Sequence, residues 1–293
     1  MTPNTQRNGS GLTSTDDPNL HDRVSRTETA QNRFHADHAE RIAALYDQSV
    51  AFADGDPLPP LWHWYYFAPT TVQSGLGPDG HPERTGFMPP ISLPRRMWAG
   101  GRLVFHKPLR VGETVTRDTE ILSIKEKSGK QGDLLFLTLG HRLTGGNGLA
   151  VEEEQDIVYR GRSTTKPPAS EPGTETPAYD WQDSFLPDPV ALFRFSALTF
   201  NAHRIHYDLP YATQEEGYPG LVMQGPLTAT LLMKGFRDHT SAEPRSFSFR
   251  GKAPLYSGGT VTLRGRLDKG SQHALWAEGP GGYTAMTATI STS

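Results

Sequence analysis

Apolar and β-branched residues alternate with polar ones in two runs of short segments, one in each half of the chain. The predicted strands span residues 114–124, 134–143 and 151–159 in the first half and residues 260–267, 273–278 and 283–290 in the second. Clusters of Gly, Asn, Asp and Ser separate them, which is typical of antiparallel strands joined by hairpins. Two Gly-rich clusters, residues 145–148 and 279–282, are predicted hairpin tips, because no helix pattern follows either of them as a phosphate-binding loop requires.

The strongest helix pattern of the second half begins at Gln224-Gly225-Pro226 and continues through an apolar run to Met233. Proline suits the first helical position, because its fixed φ matches the helix and its missing N–H would have been unpaired there. Gly225 is therefore predicted to lie at a helix N-terminus, where free backbone N–H groups and the positive end of the helix dipole can receive negative charge.

An apolar and aromatic segment before this helix, residues 192–208, contains Asn201 and His206. Burying an amide and an imidazole costs free energy unless each is hydrogen-bonded or used. A lone histidine in such surroundings is more often structural than catalytic. Here, however, a base, an orienting amide and an oxyanion site occur within one short stretch, and we interpret residues 192–208 as an active-site arm.

A stretch of the first half recurs in the second half at a constant offset of 146 residues. Residues 105–116 read FHKPLRVGETVT and residues 251–262 read GKAPLYSGGTVT, with Pro, Leu, Gly and Thr-Val-Thr in register. Pro-Leu-x-x-Gly alone is a common way to begin a strand, but the shared Thr-Val-Thr favours duplication. Repeats of about 20–50 residues indicate solenoids or propellers, so this longer period predicts two whole domains.

Composition places the boundaries of these domains. Residues 1–31 are polar and lack the basic and apolar regions of an export signal, so we expect a disordered tail. Residues 161–180 have the Pro, Ser, Thr and Glu content of a linker. We therefore predict an N-terminal domain at 32–160 and a C-terminal domain at 181–293, each an α+β fold in which a sheet wraps around a helix.

The arm resembles the hydratase motif of the MaoC-like (R)-specific enoyl-thioester hydratases and dehydratases, written Asp-x-Asn-Pro-x-His. Here it reads Asn201-Ala-His-Arg-Ile-His206, so the final His is retained and Asn201 stands at the position of the usual Asp. His203 and Arg204 replace the Asn and the Pro. The longer stretch SALTFNAHRIHYD is very similar to the type 2 hydroxyacyl-thioester dehydratase branch, which includes hydratases of mesaconyl-C4-CoA and itaconyl-CoA and carries the same Asn.

This resemblance implies a double hot-dog fold and a hydro-lyase that reversibly adds water to an α,β-unsaturated acyl-CoA or acyl-carrier-protein thioester. His206, with an ordinary pKa near neutrality, would act first as the base and then as the acid. Asn201 cannot exchange a proton and would hold the water. The N–H of Gly225 would bind the thioester oxygen and stabilise the enolate. Tyr207 and Asp208 either orient the histidine or are structural.

The corresponding part of the first half carries no such chemistry. An offset of 146 maps the motif onto residues 55–60, GDPLPP, which contain no imidazole, and residues 61–67 form a bulky aromatic segment. We therefore predict that the N-terminal domain is catalytically silent. In the double hot-dog members of the family the N-terminal half helps build the acyl pocket, and this chain follows that division.

Basic residues are the candidates for substrate binding. Arg95 and Arg96 follow a Pro-rich loop and precede a strand, where they form either a solvated turn or a site for a carboxylate or a CoA phosphate. Arg250 and Lys252 flank the second Pro-Leu turn. By resemblance, they are weaker candidates for binding the CoA phosphates.

Composition limits the remaining alternatives. The net charge of −3 gives no electrostatic case for nucleic-acid binding, and no stretch approaches the about 20 apolar residues of a membrane span. Cysteine is absent, which removes disulfides and thiolate chemistry and, with the missing export signal, predicts the cytoplasm. We expect the run Glu152–Glu154 to be a solvated strand end.

We predict no cofactor and no metal site, because the His-x-x-His pairs His35/His38 and His203/His206 lack an obvious third ligand. Two other function classes stay open on the sequence. One is a hot-dog thioesterase, which hydrolyses the acyl group, and the other is a non-catalytic acyl-thioester-binding protein. Association of double hot-dog chains into a homo-oligomer also stays open.

Overall fold

The computed structural model describes residues 20–83, 86–129, 132–161 and 177–292. The first half contains β1 (Thr27–Arg33), α1 (Ala36–Leu45), β2 (Arg95–Phe105), β3 (Thr114–Gly129), β4 (Gly132–Gly145) and β5 (Gly148–Arg160). The second half contains β6 (Trp181–Phe185), α2 (Pro189–Thr199), α3 (Gly225–His239), β7 (Pro244–Gly251), β8 (Val261–Leu267), β9 (Gln272–Glu278) and β10 (Thr284–Thr292).

The strands form one antiparallel sheet in the order β1-β3-β4-β5-β2-β7-β10-β9-β8-β6. The order is symmetric about its centre. Counted from the two edges inward, β1 corresponds to β6, β3 to β8, β4 to β9, β5 to β10 and β2 to β7. The two copies meet where β2 pairs with β7, and β2 ends at Phe105 while β7 ends at Gly251, 146 residues later. The strand order is therefore the one that the predicted duplication requires.

The predicted hairpin tips are confirmed. β4 ends at Gly145 and β5 begins at Gly148, whose φ of +93° favours glycine. The second tip lies between β9 and β10, where Gly281 and Gly282 have φ of +87° and +81°. Turn chemistry that is visible in the sequence thus sets the register of both hairpins.

α3 packs on the inner face of the second half, against β8, β9, β10 and β6. It begins at Gly225 with Pro226 in its first turn, as the sequence predicts. Most turns of α3 bury at least one large apolar side chain. These side chains include Leu227, Leu231, Leu232, Met233 and Phe236. A helix buried on this scale needs a sheet that wraps around it.

The first half differs at the position that corresponds to α3. The offset maps α3 onto residues 79–93, and the described residues of that range contain no helix. The range holds three prolines and two glycines, and proline removes a backbone donor and clashes inside a helix. Instead, Ile91 and Leu93 pack with Leu20 on the inner face of β3, β4 and β5. The helix of the first half, α1, packs against α2.

The N-terminal tail is shorter than predicted. Residues 27–31, which the sequence assigns to the tail, belong to β1 and pair with β3, from Thr27 opposite Glu120 onward. β1 is an edge strand of mostly exposed polar residues, so it has no apolar alternation to reveal it. Residues 1–19, and residues 162–176 of the predicted linker, lie outside the described residues.

The prediction that Glu152–Glu154 is a solvated strand end is wrong for Glu153, which is buried. Successive side chains of a strand point to opposite faces, so Glu152 and Glu154 face outward while Glu153 faces the core. Three identical residues hide this alternation in the sequence. Within the described part of the chain, no helix has the length and apolar character of a membrane span.

Candidate active site

Asn201 and His206 lie immediately after α2. Asp188 caps the start of the helix, and its carboxylate accepts the backbone N–H of Ala191 at 2.7 Å. Phe200 caps its end with a left-handed φ of 51°, and the N–H of Asn201 donates to the carbonyl of Ser196 at 2.8 Å. The chain then turns sharply, and Arg204–His206 forms a short 3₁₀ turn.

His206 is buried and held in one tautomer. Its Nδ1 donates to the carbonyl of Val222 at 2.7 Å, so Nε2 is the nitrogen that can accept a proton. The N–H of Val222 in turn donates to the carbonyl of Ile205 at 2.9 Å, which ties the arm to the segment before α3. Burial lowers the pKa of His206 to about 4, and the positive charge of His81 contributes to the same shift.

The side chain of Asn201 is oriented by its own loop. Its Oδ1 accepts the backbone N–H of His203 at 3.1 Å. The carbonyl side of the amide is therefore engaged, and the NH₂ group is the side that offers donors to a neighbouring molecule. Asn201 can thus bind an oxygen atom but cannot exchange a proton with it.

Gly225 is joined to the arm through the residue before it. The side-chain amide of Gln224, which is buried, donates to the carbonyl of Leu192 at 3.0 Å and to Oγ of Ser196 at 3.1 Å. These bonds link the N-terminus of α3 to α2. On its other side Gly225 faces β2, because a Cβ added there would lie 3.9 Å from the carbonyl oxygen of Trp98. The sequence reasoning did not identify Gln224, whose spacing carries no signal of its own.

A loop of the first half reaches this arm, and the sequence reasoning missed it. Asp79 accepts hydrogen bonds from the backbone N–H of His81 at 3.0 Å and from its Nδ1 at 3.1 Å. The ring of His81 lies 4.0 Å from that of His203, and the ring of His203 stands at 90° to that of His206, 5.3 Å away. The available signal was the turn sequence Asp-Gly-His-Pro at residues 79–82.

The charges in this cluster are strongly shifted. Burial lowers the pKa of His203 to about 2, and the positive charges of His81, His206 and Arg96 act in the same direction. Burial by itself would raise the pKa of Asp79, but the hydrogen bonds from His81 bring it down to about 2. At neutral pH, Asp79 is therefore ionised, while His203 and His206 are neutral.

Asp79, His81 and His203 are also the group of described residues whose ligand atoms, all within 4.8 Å of one another, could hold a metal ion. The sequence near His203 reveals no third ligand, because Asp79 and His81 come from the other half of the chain. In the structure, both carboxylate oxygens of Asp79 already accept hydrogen bonds from His81.

The four basic candidates lie in different surroundings. Arg95 is engaged by Glu216, with Nε 2.9 Å from the carboxylate and Nη2 donating to the backbone carbonyl at 2.9 Å. Arg96 is half-buried and close enough to His203 to lower its pKa. Arg250 and Lys252 are both exposed, at the end of β7 and just beyond it.

The side chains of Tyr207 and Asp208 form hydrogen bonds with groups other than the imidazole of His206. The hydroxyl of Tyr207 donates to the carbonyl of Ala202 at 3.0 Å. Asp208 accepts from Nε and Nη2 of Arg204, at 2.9 and 2.8 Å. The orienting group of His206 is instead the carbonyl of Val222, a backbone contact that residue spacing cannot predict.

Aromatic rings of both halves form a wall near Gly225, with Trp64 and Trp98 from the first half and Phe249 from β7 of the second. The rings of Trp64 and Trp98 are 4.9 Å apart, and each lies within 6 Å of the ring of Phe249, at 5.9 and 5.7 Å. Glu153 holds this wall from behind, because its carboxylate accepts Nε1–H of Trp64 at 2.8 Å and lies 3.0 Å from Nε2 of His63. Large aromatic side chains in this arrangement suit an acyl chain.

Comparison with known proteins agrees with this geometry. The family described as hydroxyacyl-thioester dehydratase type 2 matches residues 61–257, a range that includes Asn201, His206 and Gly225. Mesaconyl-C(4)-CoA hydratase of Chloroflexus aurantiacus is 49% identical over 269 residues, which cover 91% of this chain and 95% of that protein.

Two solved structures share the fold at low sequence identity. A MaoC-like dehydratase from Phytophthora capsici is similar with a TM-score of 0.66 and 16% identity, over 94% of this chain and 97% of that one. A Mycobacterium tuberculosis protein described as having a double hotdog fold is similar with a TM-score of 0.55 and 13% identity, over 92% and 96%. The α+β double hot-dog fold expected from the sequence is confirmed.

Proposed function

Because the chain belongs to the hydroxyacyl-thioester dehydratase type 2 family, we propose that it reversibly hydrates the α,β double bond of a short dicarboxylic acyl-CoA such as mesaconyl-C4-CoA or itaconyl-CoA. The observation that carries the proposal is the state of His206, a buried imidazole with Nδ1 bound to a backbone carbonyl and Nε2 left as the proton acceptor. The relative that is 49% identical is named for mesaconyl-C(4)-CoA.

Water becomes a nucleophile when a base removes its proton as it attacks Cβ. His206 suits this role, because a pKa of about 4 keeps it deprotonated at neutral pH. The imidazolium that forms then delivers a proton to Cα, so that one water is added and the histidine returns to its neutral state. In the reverse direction, the same group removes the proton from Cα.

Asn201 and Gly225 act without exchanging protons. The NH₂ group of Asn201 donates a hydrogen bond to the water oxygen, since its carbonyl is engaged by the N–H of His203. As water attacks, the thioester carbonyl becomes an enolate. The N–H of Gly225, at the positive end of the α3 dipole, stabilises that negative charge.

Arg96 is the proposed partner of the free carboxylate of the substrate. The positive charge of Arg96 acts on His203, whereas Arg95 already pairs with Glu216. A guanidinium binds a carboxylate through two parallel hydrogen bonds, which favours a dicarboxylic acyl group over an unsubstituted one. Arg250 and Lys252 are proposed to contact the CoA phosphates, for which their exposure leaves them accessible.

The test is an absorbance assay with crotonyl-CoA, mesaconyl-C4-CoA and itaconyl-CoA. A hydratase removes the conjugated enoyl band without releasing thiol, and the product mass rises by one water. Thiol release would instead identify a thioesterase, and no reaction with any of the three would leave a binding protein. The proposal also includes one active site per chain, so a tight acyl-CoA analogue should saturate at one ligand per chain, and two equivalent sites would contradict it.

A further inference from the structure

The loop of the first half that carries Asp79 and His81 is held rigidly against the arm. Within the loop, the N–H of Gly77 donates to the carbonyl of His81 at 2.8 Å. Across the contact, the N–H of Arg204 donates to the carbonyl of Asp79 at 2.9 Å, and its Nη1 donates to that of Pro78 at 3.0 Å.

Gly80 sets the closeness of this contact. Its φ is +86°, and a Cβ there would lie 1.9 Å from the carbonyl oxygen of Ala202. Any larger residue would force the two segments apart. The loop therefore approaches the arm backbone to backbone, which fixes where Asp79 and His81 stand relative to the base.

Four side chains form an unbroken line from this loop to the base. Asp79 binds His81 through both carboxylate oxygens, His81 packs on His203, and His203 stands against His206. The backbone of His203 is meanwhile held by Asn201. No member of the line can turn without disturbing the next, because the rings are in direct contact.

Hydration places a positive charge on His206, at the end of this line. When His206 takes a proton from water, an imidazolium forms in a buried site, where an unbalanced charge is costly. Asn201 is neutral, and Asp208 is paired with Arg204. Among the described residues that form or surround this line, Asp79 is the carboxylate that can balance the positive charge of His206. His81 and Arg96 act in the other direction, because their own charges are positive.

We propose that Asp79 and His81 are positioning residues of the active site, which hold His203 against His206 and set the electrostatic cost of the proton that His206 carries. This inference rests on the proposed function of His206 as the base. It also means that the N-terminal half, predicted to be catalytically silent, supplies part of the catalytic environment while contributing no base of its own.

The two residues have opposite electrostatic effects, and this separates the proposal from a merely structural role. The positive charge of His81 lowers the pKa of both His203 and His206, whereas the negative charge of Asp79 raises that of His203. Removing the carboxylate of Asp79 should therefore make the His203–His206 pair harder to protonate. Removing the imidazole of His81 should make the same pair easier to protonate.

The variants Asp79→Asn and His81→Phe test this, since asparagine keeps the size of Asp79 and phenylalanine keeps a ring on His203. With mesaconyl-C4-CoA, Asp79→Asn should lower kcat by about tenfold, the equivalent of one pKa unit. In the profile of kcat/KM against pH, the acid limb of Asp79→Asn should move to lower pH. The acid limb of His81→Phe should move to higher pH. Glu83→Gln, which removes an exposed carboxylate from the same loop, is the matched control and should change neither.

A second readout does not depend on turnover. NMR titration of the His206 imidazole in the free protein should show its pKa falling in Asp79→Asn and rising in His81→Phe, even if none of the three acyl-CoA substrates reacts. Shifts in the same direction, or activity losses with unchanged titration, would reduce the loop to a structural support. Activity that is lost to a chelator and restored by one Zn²⁺ per chain would overturn the proposal in favour of a metal centre at Asp79, His81 and His203.

Discussion

In the second half of the molecule α3 fills the inside of the sheet, whereas in the first half the corresponding residues 79–93 form a chain segment rich in proline and glycine. The strands of the two halves still pair in the same order. Duplication has thus preserved the sheet while the element inside it diverged. One copy keeps a helix N-terminus next to the histidine arm, and the other supplies Trp64 and Trp98 of the aromatic wall and the Asp79–His81 loop.

On the proposed mechanism, the half that lacks the motif still contributes to the active site. The helix dipole, the proposed base His206 and the proposed orienting amide of Asn201 all come from the second half. The first half surrounds these groups with side chains such as Asp79 and His81, which lie in a loop and not in a helix or strand. Because the described residues of the range 79–93 are not part of a helix, Asp79 and His81 can lie in a loop against the arm of the other half.

The largest expected effect is that of His206→Ala, which removes the proposed base. Turnover should fall by about 10²–10⁴-fold or more, with the fold intact. Hydration of mesaconyl-C4-CoA and the circular dichroism spectrum are the two measurements. The matched control is His35→Ala, an exposed histidine at the start of α1, which should hydrate normally. Near-normal rates in His206→Ala would move the chemistry away from the second half.

Arg96→Ala should follow, with an effect that depends on the substrate. Leaving a buried carboxylate without its partner costs on the order of 3–5 kcal/mol, so kcat/KM for mesaconyl-C4-CoA should fall by about 10²–10⁴-fold. For crotonyl-CoA, which has no free carboxylate, kcat/KM should change little.

Arg95→Ala is the control for this prediction, because the ion pair with Glu216 engages that guanidinium. Any loss in Arg95→Ala should be equal for the two substrates. Equal losses in Arg96→Ala would assign Arg96 to the CoA phosphates, and no loss would return it to a solvated position.

Glu153→Gln should weaken the first half itself. The carboxylate accepts hydrogen bonds from Trp64 and Gln155 and pairs with His63, so an NH₂ group there would face donors. The free energy of unfolding should fall by about 3–5 kcal/mol, measured by urea denaturation at pH 7.

The pH dependence of this contribution has a definite sign. The pKa of Glu153 is lowered to about 2 in the folded protein, despite burial that would raise it. Its stabilisation is therefore complete above the unfolded pKa, about 4.3, and is lost as pH falls toward 2. The stability difference between wild type and Glu153→Gln should shrink over that interval. A constant difference would show that packing, and not charge, is what Glu153 contributes.

Gly225→Ala should have the smallest effect. Alanine keeps the backbone N–H, and its Cβ would meet the carbonyl oxygen of Trp98 at 3.9 Å, an ordinary contact distance. Because the proposed role of Gly225 lies in its N–H, kcat should stay within about threefold of wild type, well under the roughly 10²–10³-fold loss of an oxyanion donor. A large loss would mean that the acyl group occupies the space over Gly225.

The amino-acid sequence by itself determined the features that depend on neighbouring residues. Period-two patterns and Gly clusters predicted six of the ten described strands and the two hairpin tips, and Gln224-Gly225-Pro226 marked the start of α3. The constant offset of 146 residues predicted the duplication that the strand order then displays. Each of these is local chemistry or a repeated pattern, so one sequence is enough to reveal it.

Only the tertiary structure decided which residues meet across the two halves. Asp79 and His81 are more than 120 residues from His203 along the chain. In the fold, however, the carboxylate of Asp79 binds the ring of His81, and that ring packs on the ring of His203. The choice of Arg96 over Arg95 likewise depends on Glu216, a residue of the other half. The pairing of β2 with β7 brings these segments together. Long-range pairing leaves no periodic trace in either segment, because each half satisfies its own local pattern wherever the other half lies.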